Sequence, residues 1–168
     1  ESLQKIQGAY CLTIMTEDKL IGARDPHGFR PLCIGKLDDG TWILSSETCG
    51  LDVNGAEFVR DVAPGEMVVI DDSGLKSYKF RQGEKLASCI FEYIYFARPD
   101  SVIDGQSVHA ARFEMGRILA RESKFEGDIV ISVPDSGTTA ATGYAYEAGL
   151  PFVEGLIKNR YIGRTFIQ

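Results

Sequence analysis

The chain lacks any apolar run near the roughly 18 residues that a membrane span needs. Its opening residues, Glu1-Ser2-Leu3-Gln4-Lys5, lack the basic-then-apolar order of an export signal. The expectation is a cytoplasmic protein with no membrane partner. Only four cysteines occur, at 11, 33, 49 and 89, with no Cys-x-x-Cys pair, too few and too scattered for a disulfide scaffold. There is no basic excess either: 24 acids face 18 bases, a net charge of −6 over 168 residues. That balance argues against generic nucleic-acid binding, which sets Lys and Arg against phosphates, so an anionic ligand has to meet a local basic patch. The two histidines, His27 and His109, sit in neither a His-x-x-x-His nor a His-Glu-x-x-His context, and neither is assigned a role. Internal repeats and low-complexity segments are missing as well. What is there is 44% hydrophobic, enough for one medium core or two small ones.

From Ala9 to Phe80, short β-type runs recur about every ten residues, the rhythm of antiparallel layers. Explicit turns separate them, among them Asp25-Pro26-His27-Gly28, Asp38-Asp39-Gly40, Ala63-Pro64-Gly65 and Asp71-Asp72-Ser73-Gly74. This half reads as a meander without a long helix. Beyond Gln82 the pattern switches to strand, helix, strand, helix, strand, the mark of an α/β unit, which places a boundary near residue 85 and divides the chain into 1–85 and 86–168. Ile90 to Phe96 is expected as an aromatic strand. Ser107 is expected to cap a helix carrying Val108, Ala111, Met115, Ile118 and Leu119 on one face. Ile129 to Val133 and Phe152 to Ile157 are expected as parallel strands around a helix from Thr138 to Ala148, closed by Gly149.

Two loops stand out chemically. Pro134-Asp135-Ser136-Gly137-Thr138-Thr139 joins an expected strand end to a helix start, where unpaired backbone N–H groups favour anions. It matches neither GxxxxGK[ST] nor GxGxxG, and a plain capping loop remains the alternative. Lys158-Asn159-Arg160-Tyr161-Ile162-Gly163-Arg164 gathers three cations directly after the second parallel strand; it reads either as a solvated turn or as a partner to the first loop. Phe91, Tyr93, Tyr95 and Phe96 read as core packing, and Cys89 as a buried thiol.

Longer stretches carry more. Cys89-Ile90-Phe91-Glu92-Tyr93-Ile94-Tyr95-Phe96-Ala97-Arg98-Pro99-Asp100-Ser101, Val133-Pro134-Asp135-Ser136 and Lys158 through Ile167 closely resemble the glutamine phosphoribosylpyrophosphate amidotransferases (amidophosphoribosyltransferases). Upstream, Arg24-Asp25-Pro26-His27-Gly28-Phe29-Arg30-Pro31-Leu32, Ser45-Ser46-Glu47-Thr48 and Arg60-Asp61-Val62-Ala63-Pro64-Gly65-Glu66 are similar to the later half of that family's glutaminase domain. The resemblance implies an internal fragment: the rear of an antiparallel β domain of the N-terminal-nucleophile glutaminase type, then the first βαβ unit of a type I phosphoribosyltransferase domain. The family's nucleophile is an N-terminal cysteine, whereas residue 1 is Glu, and its Asp-Asp and Gly-Thr-Thr fingerprint is expected downstream of Gln168. The resemblance therefore implies no catalytic residue in this chain and no activity for it alone.

For the parent enzyme it implies transfer of glutamine-derived ammonia to phosphoribosyl pyrophosphate, giving 5-phosphoribosylamine at the start of purine synthesis. Asp135, Ser136, Gly137 and Thr138 match the pyrophosphate loop, with Ser136 at a position that helps hold Mg²⁺. Lys158, Arg160 and Arg164 lie in the flexible lid, and Phe91, Tyr95 and Ile167 match the lining of an apolar ammonia passage. Cys89 matches the first ligand of a [4Fe–4S] cluster in one subgroup, while cluster-free relatives can also carry cysteine there. Purine nucleotides as feedback inhibitors and homo-oligomers of the full-length protein are implied too. A noncatalytic phosphate- or nucleotide-binding module and an inactive remnant of the fold are the rival readings.

Overall fold

A computed structural model of the protein describes residues 1–81, 85–123 and 125–163. After a single helical turn, α1 (Ser2–Lys5), the chain lays down β1 (Cys11–Met15), β2 (Leu20–Arg24), β3 (Cys33–Lys36), β4 (Trp42–Ser45), helix α2 (Thr48–Val53), β5 (Glu57–Asp61), β6 (Glu66–Asp71) and β7 (Gly74–Lys79). These strands form two antiparallel sheets, in the order β1-β2-β6-β7 and β4-β3-β5. The expected meander is thus corrected. β2 pairs with β6, Leu20 opposite Ile70, so the second sheet is inserted between neighbours of the first.

Side-chain alternation explains the layering. Ile34 faces inward with Leu32, Val62 and Val68, covered by Cys11, Trp42, Leu44 and Leu75 from both sheets. One residue earlier, Cys33 faces the opposite side, where Leu51 of α2 and Ala56 beyond the helix close a second core. β6 alternates buried and half-buried residues along its length. Its first residue, Glu66, is buried because Arg60 grips it through two guanidinium nitrogens at 2.9 and 2.7 Å, with further donations from Ala63 N and Ser77 Oγ. Burial pushes the Glu66 carboxyl up, but those hydrogen bonds outweigh it and hold the pKa down at about 2.

The aromatic run is not a strand. Glu92–Phe96 forms a π-helical turn in which Ala97 N donates to Glu92 O. A β-strand would leave alternate side chains of the run on two faces; here Glu92 is buried on Arg30 at 2.7 Å, and Tyr93 packs with Ala97, Ile103 and Val108. Arg112, itself buried, donates to Tyr93 O and, at 2.8 Å, to Ala97 O, so a distant side chain satisfies carbonyls that a sheet would have paired. A small hairpin follows, β8 (Val102–Ile103) and β9 (Gln106–Ser107), turning through Asp104 and Gly105, both at positive φ. Asp-Gly is the standard two-residue hairpin turn.

Helix α3 (Val108–Glu122) starts where expected, with Ser107 Oγ accepting from Ala110 N at 3.2 Å. Helix α4 (Thr138–Ala148) ends at Gly149 in the left-handed conformation, φ 68°. The two helices pack closely. A Cβ on Gly116 would lie 1.9 Å from Ala140 O, and one on Gly143 would lie 2.0 Å from Phe113 O, so these two positions admit only hydrogen. Arg117 and Arg121 of α3 both reach Glu147 of α4 at 2.8 Å.

The expected strands on either side of α4 reduce to one parallel bridge, Val130 with Phe152, made by Val130 N to Pro151 O and Val153 N to Val130 O. The parallel direction agrees with expectation; the extended ladder does not form. Parallel strands are stable when both faces and both edges are covered, and here Ile129, Ile131, Val133 and Ile157 are between 45% and 81% exposed.

Candidate functional site

The bridge brings the two singled-out loops together. Pro134 and Asp135 from the first and Lys158, Asn159, Arg160 and Ile162 from the second line one open cleft of about 780 Å³, joined by Glu154. Lys158 Nζ donates to Asp135 Oδ2 at 3.1 Å across it, with both side chains largely exposed. Two cations and two carboxylates thus face the same volume, an arrangement suited to an anion that arrives with its own metal.

The first loop is not spent on capping. The residue preceding α4 is Gly137, and no side chain caps the helix. Thr138 N donates to Asp135 O at 3.2 Å, closing a tight turn, and Thr138 Oγ1 lies 3.2 Å from Ser132 Oγ. Ser136 is half-buried beside Asp135, and its hydroxyl makes no hydrogen bond among the described residues. The Pro134–Asp135 peptide bond is cis. Asp135, Lys158 and Arg160 are therefore gathered at one cleft, with Ser136, Gly137 and Thr138 on its adjoining turn. Arg164 and Ile167 lie outside the described residues. Glu154 is the cleft residue that sequence reasoning missed; an acid inside the expected second strand was its signal.

Phe91, which immediately precedes the π-helical turn, and Tyr95, on it, stand elsewhere, with 52% and 54% of their surfaces exposed. Among the described residues they are not core packing, which falls to Tyr93. Their rings pack on Phe96, each with a centroid separation of 5.9 Å. Cys89 is a free, half-buried thiol whose backbone N–H donates to Phe29 O. Of the other three, Cys11 lies on β1, Cys33 on β3 and Cys49 on α2. Burial pushes Cys33 up to about 12 and Cys11 up to about 11, environments that keep a thiol protonated. No group of three or more metal-binding side chains occurs among the described residues.

No family model matches the chain. Curated relatives do. Amidophosphoribosyltransferase of Archaeoglobus fulgidus is 58% identical over 165 residues, which cover 98% of this chain and 36% of the relative. The Mycobacterium tuberculosis enzyme of the same name is 56% identical over 166 residues, covering 99% of this chain and 31% of the relative. By sequence, the chain matches a segment of amidophosphoribosyltransferase. The fold agrees with the amidophosphoribosyltransferase match. A solved structure described as glutamine phosphoribosylpyrophosphate amidotransferase from Bacillus subtilis complexed with ADP and GMP superposes with a TM-score of 0.93 at 53% identity, over 99% of this chain and 36% of that one. A second, described as the allosteric regulatory enzyme of purine biosynthesis, gives the same TM-score and identity. The chain spans about a third of the length of the relatives it matches. The resemblance read from the residues is borne out, as are a mixed α/β chain and antiparallel sheets in its first half.

Proposed function

We propose that this chain is the part of an amidophosphoribosyltransferase that joins its glutaminase half, residues 1–85, to the front of its phosphoribosyltransferase half, residues 86–168. In that reading the whole enzyme releases ammonia from glutamine and uses it to displace pyrophosphate from C1 of phosphoribosyl pyrophosphate, yielding 5-phosphoribosylamine. The observation that carries it is the cleft shared by Asp135 and Lys158, in a chain 53–58% identical to enzymes of that name.

The chemical demand is electrostatic, because pyrophosphate leaves with concentrated negative charge. In this reading the 135–138 turn at the start of α4 meets that charge, and Lys158 and Arg160 supply cations from the same cleft, with Arg164 as a third cation of the 158–164 loop by sequence. The turn's hydroxyl and the two cleft carboxylates, Asp135 and Glu154, are hard oxygen donors of the type Mg²⁺ takes. With so few protein ligands, they fit an ion that keeps substrate oxygens and waters. A bound Mg²⁺ would neutralise charge on the leaving pyrophosphate; the Ser136 hydroxyl hydrogen-bonds the diphosphate, while Asp135, an anion like the diphosphate, would serve as a ligand of the ion. A lid that closes over the cleft excludes water as a competing nucleophile. Phe91 and Tyr95 line the route for neutral ammonia together with Ile167; an apolar lining gives NH₃ no proton donor.

The [4Fe–4S] reading of Cys89 needs four thiolates. This chain's own thiols do not fit a complete set, since Cys11 and Cys33 are buried away in the β layers. Cys89 serves at most as one ligand, and iron with acid-labile sulfide in the full-length protein measures it. Purine nucleotide inhibition, a cytoplasmic location and homo-oligomerisation of the full-length protein belong to the same proposal. The test of the whole reading is synthesis of phosphoribosylamine from phosphoribosyl pyrophosphate and ammonia by the full-length protein. Ser136→Ala is expected to raise the requirement for Mg²⁺ and phosphoribosyl pyrophosphate together; unchanged saturation by both overturns the assignment of this loop.

A further inference from the structure

The π-helical turn is held against the β layers by an attachment that no strand pairing provides. The loop from Asp25 to Arg30 is rigid in its own right. Asp25, fully buried, accepts from His27 N at 2.9 Å and Phe29 N at 3.0 Å. Arg24, 2% exposed, donates to the carbonyls of Gly28, Arg30 and Val62. This loop receives the second half of the chain residue by residue, with Ala87 N on His27 O at 2.9 Å and Cys89 N on Phe29 O at 3.1 Å.

Arg30 continues the series through its side chain. Its Nη1 donates to Glu92 Oε1 at 2.7 Å, and its guanidinium carbon sits 4.6 Å from the centre of the Phe96 ring. The two contacts grip the first and last residues of the turn. Phe91 and Tyr95 both pack on Phe96, so the direction in which these rings point depends on where Arg30 holds the turn. Arg112 fixes the other side by donating to Tyr93 O and Ala97 O. Arg30 thus meets the turn from the β layers and Arg112 from α3.

We infer that Arg30 is a positioning residue for the transfer of ammonia between the two halves, acting by orienting the Phe91–Tyr95–Phe96 cluster. The inference rests on the proposed reading of the enzyme and adds a residue outside the cleft and outside the route's lining. Planarity matters as well as charge: a guanidinium can pair with a carboxylate while stacking on a ring, whereas an ammonium is a point charge.

The test uses the full-length enzyme and three rates: glutamine hydrolysis, ammonia-dependent synthesis and glutamine-dependent synthesis. Arg30→Met is expected to leave the first two within about twofold of the parent and lower the third by about tenfold, a scale that a sub-ångström misplacement produces. Hydrolysed glutamine then exceeds product, and the difference is released as free ammonia. Arg30→Lys keeps the charge beside Glu92 but not the stacking, and falls between the two. If Arg30→Met does not fold, Phe96→Leu, which leaves the ion pair in place, gives the same signature in milder form. A parallel decline of all three rates, or glutamine use still matched to product in these variants, overturns the inference. A parent enzyme without ammonia-dependent synthesis fails the underlying functional reading instead, so the two failures are distinguishable.

Discussion

Replacing Lys158 by Met separates what the cleft does for folding from what it does for a ligand. Met keeps the length of the stem and removes the charge. Among the described residues the ammonium has one protein partner, Asp135 at 3.1 Å, and the two side chains are 60% and 74% exposed. A pair so open to water contributes less than about 1 kcal/mol, so the unfolding midpoint is expected to move by about 4 °C or less. A cation donating to a phosphate oxygen contributes about 1.5–3 kcal/mol. At 1.4 kcal/mol per factor of ten, that loss raises the KM for phosphoribosyl pyrophosphate roughly 10- to 100-fold. The assay is initial rate against phosphoribosyl pyrophosphate concentration in the full-length enzyme, with ammonia as nitrogen donor so that the glutaminase half does not enter. The parent's KM should rise with ionic strength more steeply than the variant's, because one screened contact is gone. Unchanged saturation in Lys158→Met, or a loss that tracks a fall in thermal stability, refutes the assignment of Lys158 to the ligand.

Gly143→Ala places a methyl group where Phe113 O already lies, 2.0 Å from the new carbon; the helices must part, and chemical denaturation is expected to show a loss of about 3 kcal/mol or more. Glu66 has a folded pKa of about 2, below its ordinary value of 4.5, so its contribution is present above pH 4.5 and is lost as pH falls towards 2. Unscreened, such a shift is about 3 kcal/mol, but Arg60 is 38% exposed, which reduces the expectation to about 1–2 kcal/mol. Glu66→Gln should therefore flatten the acid limb of stability against pH, and an identical limb in the variant refutes this account. Glu47 accepts from Arg98 N at 2.8 Å and Ser101 Oγ at 2.7 Å, bridging the β layers to the second half. Glu47→Ala strands both donors and is expected to cost about 2–3 kcal/mol, with hydrogen exchange rising first around residues 98–102.

Several elements were legible because their signals are local. Thr138–Ala148 lies where the residue pattern places it, Ser107 caps α3 as a hydroxyl before an amphipathic run should, and Gly149 closes α4 at positive φ. The Asp104-Gly105 hairpin carries a local turn signal as well, but its flanking strands are only two residues long, too short to show an alternation. The aromatic run misled because β-propensity describes side chains on a pleated surface, whereas this run is organised by Arg30 and Arg112, 62 and 19 residues away from the groups they hold. Glu92, a lone acid within an apolar stretch, was the sign that a partner existed, but nothing nearby in the sequence names it.

The sequence by itself determined the β periodicity of the first half, the helix starts and stops of the second, and the two loops with the residue types for gripping a phosphate. Each depends on neighbours a few positions apart, where backbone preference and side-chain chemistry act directly. Only the tertiary structure decided that β2 pairs with β6 across an inserted sheet, that an aromatic segment coils into a π-helical turn, and that Asp135 and Lys158 meet across one cleft. Those outcomes depend on which distant groups satisfy a carbonyl, a buried charge or an unpaired sheet edge, and that competition is resolved only when the whole chain has packed.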